Sequence, residues 1–176
     1  MNAFLLLFCF AVVQTNDQLI SQLGSDDKAT ASAAYDLLES RGVDACPALV
    51  LRLDDKTNAN YDAFHNPDVM VKTNRNWAIY KPKVGDVIFF LIQRQIEGSW
   101  PKGFQHHYAL THRNAKNWLT KHKGLTLRQL QLLATTDSLS SVARKIAANP
   151  HDDVNSKCLA FLTERLAKIQ CPNRER

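Results

Sequence analysis

Residues 84–98 read VGDVIFFLIQRQIEG, and the six consecutive apolar residues from Val87 to Ile92 leave open a buried strand or a buried helix. Periodicity cannot choose, because an unbroken apolar run carries neither the alternation of a half-buried strand nor the three- and four-residue spacing of a half-buried helix. The flanking residues favour the helix. The continuation QRQIE is poor in β-formers, and Gly98 supplies a helix stop. Read this way, the segment belongs at the centre of the core and sets the fold class as mainly α.

Downstream, the helical pattern is clearer. Ala115, Trp118, Leu119 and His122 stripe one helix ended by Gly124, and Thr126 can cap a second that carries Leu127, Leu130 and Leu133. Leu139, Val142, Ala143 and Ile146 stripe a third helix, stopped by Asn149 and Pro150. Val154, Cys158, Phe161, Leu162 and Ile169 stripe the last, stopped by Pro172.

Upstream, Leu19, Ile20 and Leu23 make a short apolar turn before Gly24. Ser25 or Asp26 is placed to cap a helix with Ala29, Ala33, Ala34, Leu37 and Leu38 on one stripe, ended by Arg41 and Gly42. Ala45, Leu49, Val50 and Leu53 form the inner face of the next helix, and Pro47 falls in its first turn, where a missing N–H costs nothing. An aspartate-rich start, an alanine-leucine helix, a Gly turn and the helix ACPALVLRL resemble a HEAT-like repeat over residues 19–55. In that family one unit cannot bury its face alone, so the resemblance implies that the rest of the chain supplies the packing surface.

Between hairpin and centre, DDKTNANYDAFHNPD (54–68) lacks periodicity and reads as a connecting loop. Val69, Val71 and Thr73 before an NRN centre, with Trp77 and Ile79 after it, allow one small β-hairpin closed by Pro82. The expected architecture is a mainly α domain of about seven or eight helices, opening with a HEAT-like helical hairpin.

A chain of 176 residues, 45% hydrophobic and 22% charged, suits one globular domain that needs no metal or disulfide staple. Residues 3–13, AFLLLFCFAVV, are far short of the roughly 20 apolar residues a membrane-spanning helix needs. Followed by QTNDQ, they fit the core of a signal peptide over residues 1–15, with cleavage near Gln14 or Thr15. The expected organisation is therefore a leader over 1–15 and a single helical domain over 16–176, secreted or periplasmic, with no membrane span once the leader is removed. Removal leaves Cys46, Cys158 and Cys171, an odd number. Cys158 and Cys171 lie about 20 Å apart if one helix carries both, so all three read as free thiols. Cys46, on an inward position, behaves as a small hydrophobe.

The chemistry-bearing motifs point away from a familiar enzyme. There is no GxSxG, no GxxxxGK[ST], no GxGxxG, no HExxH and no CxxC. His106 and His107 are adjacent and point apart on any regular element, and His112 and His122 sit about three turns apart on one expected helix, so neither pair shares a metal. The pairs Asp26-Asp27, Asp54-Asp55 and Asp152-Asp153 lie at helix ends, where carboxylates serve the helix dipole. No catalytic residue, metal ligand or cofactor is expected.

Charge is unevenly distributed along a chain of net charge +5. Residues 17–71 hold 4 basic and 10 acidic side chains, whereas residues 72–128 hold 11 basic and 2 acidic. Two readings follow. The blocks dock on each other inside the fold, or the basic one faces an acidic partner, with Lys72, Arg75, Lys81, Lys83 and Lys102 its first contributors. Aromatic residues interleave the basic block: Trp77, Tyr80, Trp100, Phe104, Tyr108 and Trp118.

The loop GSWPKGFQHHYALT, from Gly98 to Thr111, concentrates two glycines, a proline, aromatic residues and both adjacent histidines. It is the candidate binding surface, with Trp100, Lys102, Phe104, His106 and His107 as its residues. The competing reading is that Trp100 and Phe104 fold down over the helices. The function expected is an exported, non-catalytic helical protein acting as a protein-binding or scaffold module. Its partner would be another protein, and nucleic acid is not favoured. Two alternatives stand beside it: an enzyme of unfamiliar type with a site around loop 98–111, and a polyanion-binding protein using the basic segment 72–128.

Overall fold

The computed structural model describes residues 14–64 and 81–171. Residues 1–13 of the expected leader, including Cys9, and the expected hairpin around NRN, with Trp77, Tyr80, Lys72 and Arg75, lie outside them. The described residues form eight α-helices: α1 (Asn16–Gln22), α2 (Lys28–Arg41), α3 (Cys46–Leu51), α4 (Tyr61–Phe64), α5 (Val84–Glu97), α6 (Ala115–Lys121), α7 (Leu127–Ala148) and α8 (Asp153–Gln170). No strand occurs among the described residues; one isolated antiparallel bridge joins Asn58 to Lys83.

The ambiguous run is helix α5, and it is buried on nearly every side: Val84, Val87, Ile88, Phe89, Leu91, Ile92 and Ile96 all lie in the core. Each such side chain contributes about 1.5–3 kcal/mol relative to exposure, so this helix supplies much of the apolar driving force. α1 packs on α2 and α3; α2 and α3 lean on α5; α6 meets α3; and α7 packs on α5 on one side and α8 on the other.

Two apolar clusters result. The larger joins α1–α3, α5, α6 and the start of α7, with Leu130 and Ala134 as the contribution of α7. The smaller lies between the far end of α7, α8 and the loop after α5, around Trp100, Val142, Cys158 and Leu162.

Local chemistry corrects several details of the sequence reading. The cap of α2 is Asp27, whose carboxylate accepts from Ala29 N at 3.3 Å and Thr30 N at 3.1 Å, rather than Ser25 or Asp26. Its buried face is Ala31, Ala34 and Leu38; Ala29 and Ala33 are exposed and Leu37 is 44% exposed, because alanines on every side of the helix leave the face to be set by Leu38 and α1. The expected second and third C-terminal helices are one continuous helix, α7. Between the two expected stripes, Thr135 and Thr136 donate their hydroxyls to Gln131 O at 2.7 Å and Leu132 O at 2.8 Å, so the polar stretch stays helical. His112 precedes α6 and does not share a helix with His122.

Gly85 lies in the first turn of α5, against the backbone of the preceding loop. A Cβ there would collide with Leu53 O and come within 3.0 Å of Asp55 O. That close approach allows Gly85 N to donate to Asp55 O at 3.1 Å and Val84 N to Thr57 O at 2.9 Å, while Ala59 N donates to Pro82 O at 2.9 Å. The chain from 53 to 60 is thereby fastened to the entrance of the central helix.

The acidic hairpin and the basic segment do meet in two ion pairs: Arg94 with Glu39 at 3.4 Å, and Lys116 with Asp54 at 2.5 Å. The Lys116 ammonium, as hydrogen-bond donor and as charge, holds the Asp54 carboxyl below its ordinary range.

Candidate functional site

Loop 98–111 begins where α5 stops. Gly98 adopts φ 65°, a conformation that calls for glycine, and the end of the Arg165 side chain lies against it. Trp100 is buried at 7% exposure, its Nε1–H donating to Glu97 O at 2.8 Å. Its ring lies 4.6 Å from Tyr108 and 5.5 Å, edge-on, from Phe161; Phe104 lies 6.0 Å from the same Phe161. The loop therefore roofs the smaller apolar cluster with its aromatic side chains.

The five residues singled out in the sequence divide between two sides of this roof. Trp100 and the half-buried Phe104 face the helices, Lys102 and His106 are exposed, and His107 is buried at 2% exposure within a short 3-10 turn, Gln105–His107. The His106 and His107 rings are 3.9 Å apart, yet one faces solvent and the other the interior.

His107 Nδ1 lies 3.1 Å from Lys145 Nζ on α7. A charged lysine can only donate, so Nδ1 accepts and the ring proton sits on Nε2, which is buried without a hydrogen-bond partner. Burial first, then the charges of His106 and Lys145, push the ring down to about 4, against the opposing pull of Asp152. A neutral imidazole is what this position holds at neutral pH.

The sequence reading missed Glu97, the last residue of α5, which is 1% exposed. Its Oε1 accepts from Ala109 N at 2.6 Å and Leu110 N at 3.4 Å, across the whole loop, and Gln93 Nε2 donates to Leu110 O at 2.8 Å beside it. Oε2 is buried without a hydrogen-bond partner. Burial raises the carboxyl to about 7, partly offset by the two backbone N–H groups, Gln93 and the charge of Arg165. Arg165, on α8, donates to Ile96 O at 3.1 Å and to Thr135 Oγ1 at 3.3 Å. One signal was available: a glutamate in the last turn of a helix opposes the helix dipole, so it needs a partner elsewhere.

Chemically, the arrangement is a fastening more than a reaction centre. Its two unusual titratable groups are buried, and the Tyr108 phenol is itself pushed up to about 12 by burial and the neighbouring Glu97. Burial likewise raises the thiols of Cys46, to about 11, and of Cys158, which opposes thiolate formation. Among the described residues no group of three His, Cys, Asp or Glu side chains comes together to hold a metal ion, and no helix is long and apolar enough to cross a membrane. The chain matches no model of a known protein family, no curated protein and no solved structure.

Proposed function

We propose that this protein is an exported, non-catalytic helical module that binds another protein through the surface of loop 98–111. The observation that carries the reading is the loop itself: it leaves Lys102 and His106 exposed, while Trp100 and Phe104 of the same loop pack on Phe161. The aromatic residues beneath hold the loop in one course, so the exposed polar side chains form a surface already in place for a partner. The HEAT-like hairpin, α2 and α3, serves in this reading as the buttress that fixes α5 and hence the base of the loop. The enzyme alternative draws no support from His107, whose buried ring a substrate cannot reach while the loop is closed.

Affinity capture from the medium or envelope tests the reading. The chain should retain a stoichiometric protein that Lys102→Glu/His106→Glu releases, since both side chains are exposed and their replacement leaves the core intact. Equal retention by both forms would overturn it.

Export rests on the apolar run 3–13, and the fold bears on where the cut falls. Thr15 caps α1 through a reciprocal pair with Gln18, at 3.2 and 2.8 Å, and Arg41 donates to Gln14 O at 2.6 Å. A cut before Gln14 keeps both contacts, whereas one after Thr15 loses a cap worth about 1 kcal/mol. The intact mass of the native protein decides, and a soluble chain that still carries Met1–Val13 would sink the export reading.

A further inference from the structure

Loop 98–111 leaves the last turn of α5 and returns to it. It leaves through Gly98, at φ 65°, and returns where Ala109 N and Leu110 N donate to Glu97 Oε1 and Leu110 O accepts from Gln93. A single carboxylate thus closes a ring of chain. Between the ends, Gly103 holds φ 93° with open space where its Cβ would be, and Phe104 N donates to Pro101 O at 3.2 Å, a bond local to the loop. Beneath, Trp100 and Phe104 pack on Phe161 over Val142 and Leu162, and at the returning end Leu110 is fully buried in the larger cluster. Further fastenings tie the loop down: Trp100 Nε1–H donates to Glu97 O at 2.8 Å, Asn114 Nδ2 donates to Ala109 O at 2.8 Å, and His107 Nδ1 accepts from Lys145 Nζ at 3.1 Å.

We propose that loop 98–111 is a hinged strap that opens as a unit, pivoting at Gly98 and latched by the side-chain carboxyl of Glu97, while the helices beneath stay folded. Opening would lift Trp100 from Phe161 and so control the surface assigned to protein binding; the inference rests on that reading only for its purpose. A strap tied at a few polar points and resting on an apolar bed is a low-energy opening unit of the kind that hydrogen exchange resolves.

The groups facing the two fastenings set a pH signature. Glu97 meets Tyr108 in the loop and Arg165 from α8; His107 meets His106 in the loop, Lys145 from α7 and Asp152 from the α7–α8 turn. Closed, Glu97 holds its proton to about 7, whereas a released carboxyl ionises near 4.5, so rising pH favours opening. Closed, His107 refuses a proton down to about 4, whereas a released imidazole takes one near 6.5, so falling pH also favours opening. The two ranges mirror each other about a point between pH 5 and 6, and the latch and the imidazole cancel most of each other's pH dependence.

Residue-resolved hydrogen exchange on the isolated full chain tests this without any partner, so its failure is distinct from a failure to find one. In the unmodified protein, the Ala109 and Leu110 amides should exchange at least about tenfold faster than those in the middle of α7 and α8. Their rates should be insensitive to low denaturant and their protection should change by less than about threefold between pH 5 and 7. Glu97→Gln keeps an acceptor but cannot titrate; its strap should open at least tenfold more at pH 5 than at pH 7. His107→Gln should do the reverse. One common denaturant-dependent rate for strap and helix amides would overturn the strap. Parallel pH profiles in the three proteins would overturn Glu97 as its latch, and the first measurement stands even if either variant fails to fold.

Discussion

Replacing Gly85 by alanine sets two effects of opposite sign against each other. Alanine is the better helix former by about 1 kcal/mol, so propensity alone favours the variant. Against this, the new methyl would meet backbone, which cannot swing away as a side chain can: it collides with Leu53 O and approaches Asp55 O and N to 3.0 and 3.1 Å. Nor is that backbone free to retreat. Asp55 O accepts from Gly85 N at 3.1 Å, the Asp55 carboxylate accepts from Thr57 N at 2.8 Å and is paired with Arg52, and Thr57 O accepts from Val84 N at 2.9 Å. Overpacking of this kind costs about 1–3 kcal/mol, and each lost hydrogen bond adds about 0.5–1.5 kcal/mol. With one bond lost, the costs exceed the propensity gain by roughly 2 kcal/mol, which lowers the melting temperature by about 4–8 °C for a chain of this size. Urea denaturation followed by circular dichroism should show a lower midpoint at an unchanged slope. An equal or higher midpoint would mean that residues 53–57 yield freely, and would refute the account of how the hairpin is fastened to α5.

Other consequences are as direct. The contribution of Glu97, whose raised carboxyl sits near 7, is fully present below about pH 4.5 and lost as pH rises through 7, so Glu97→Gln should gain on the unmodified protein by up to about 3 kcal/mol between pH 4 and 8. Stability curves that stay parallel over that range contradict a buried titrating carboxyl. Because Glu39–Arg94 and Asp54–Lys116 join the acidic and basic blocks, raising sodium chloride from about 0.01 to 0.5 M should lower the melting temperature by no more than a few degrees. A midpoint that climbs with salt would instead put the basic side chains in mutual repulsion, awaiting an acidic partner. Leu162→Ala, deep in the smaller cluster, should cost about 2–5 kcal/mol, read by chemical denaturation; a cost under about 1 kcal/mol would mean that this cluster is not packed.

What could be read from the sequence followed the strength of the local signal. α5 was legible because six apolar residues run into a continuation poor in β-formers and a stop glycine, and Thr126 announced the start of α7 as its cap. The face of α2 was not, since Ala29, Ala31, Ala33 and Ala34 offer almost any stripe and only packing selects one. α7 read as two helices because its middle is small and polar; Thr135 and Ser138 are buried there, where Arg165 of α8 comes close enough to donate to Thr135. Of the site, the loop and its aromatic residues were visible by composition. The split of its histidines and the role of Glu97 were not, because a carboxylate that binds two amides 12 and 13 residues further on leaves no local pattern.

The unbroken course of α7 has a mechanical consequence. At 22 residues it is a rod of about 33 Å, with Leu130 and Ala134 set in one apolar cluster and Val142 in the other. A rod gripped at both ends transmits tilt: a force that lifts the strap from Phe161 loosens the grip on the far end and changes the load at the near end, where α5 is seated. Had the chain formed two helices here, a flexible joint between them would absorb that motion. Without the joint, a load applied to the loop would reach the central helix through one continuous rod.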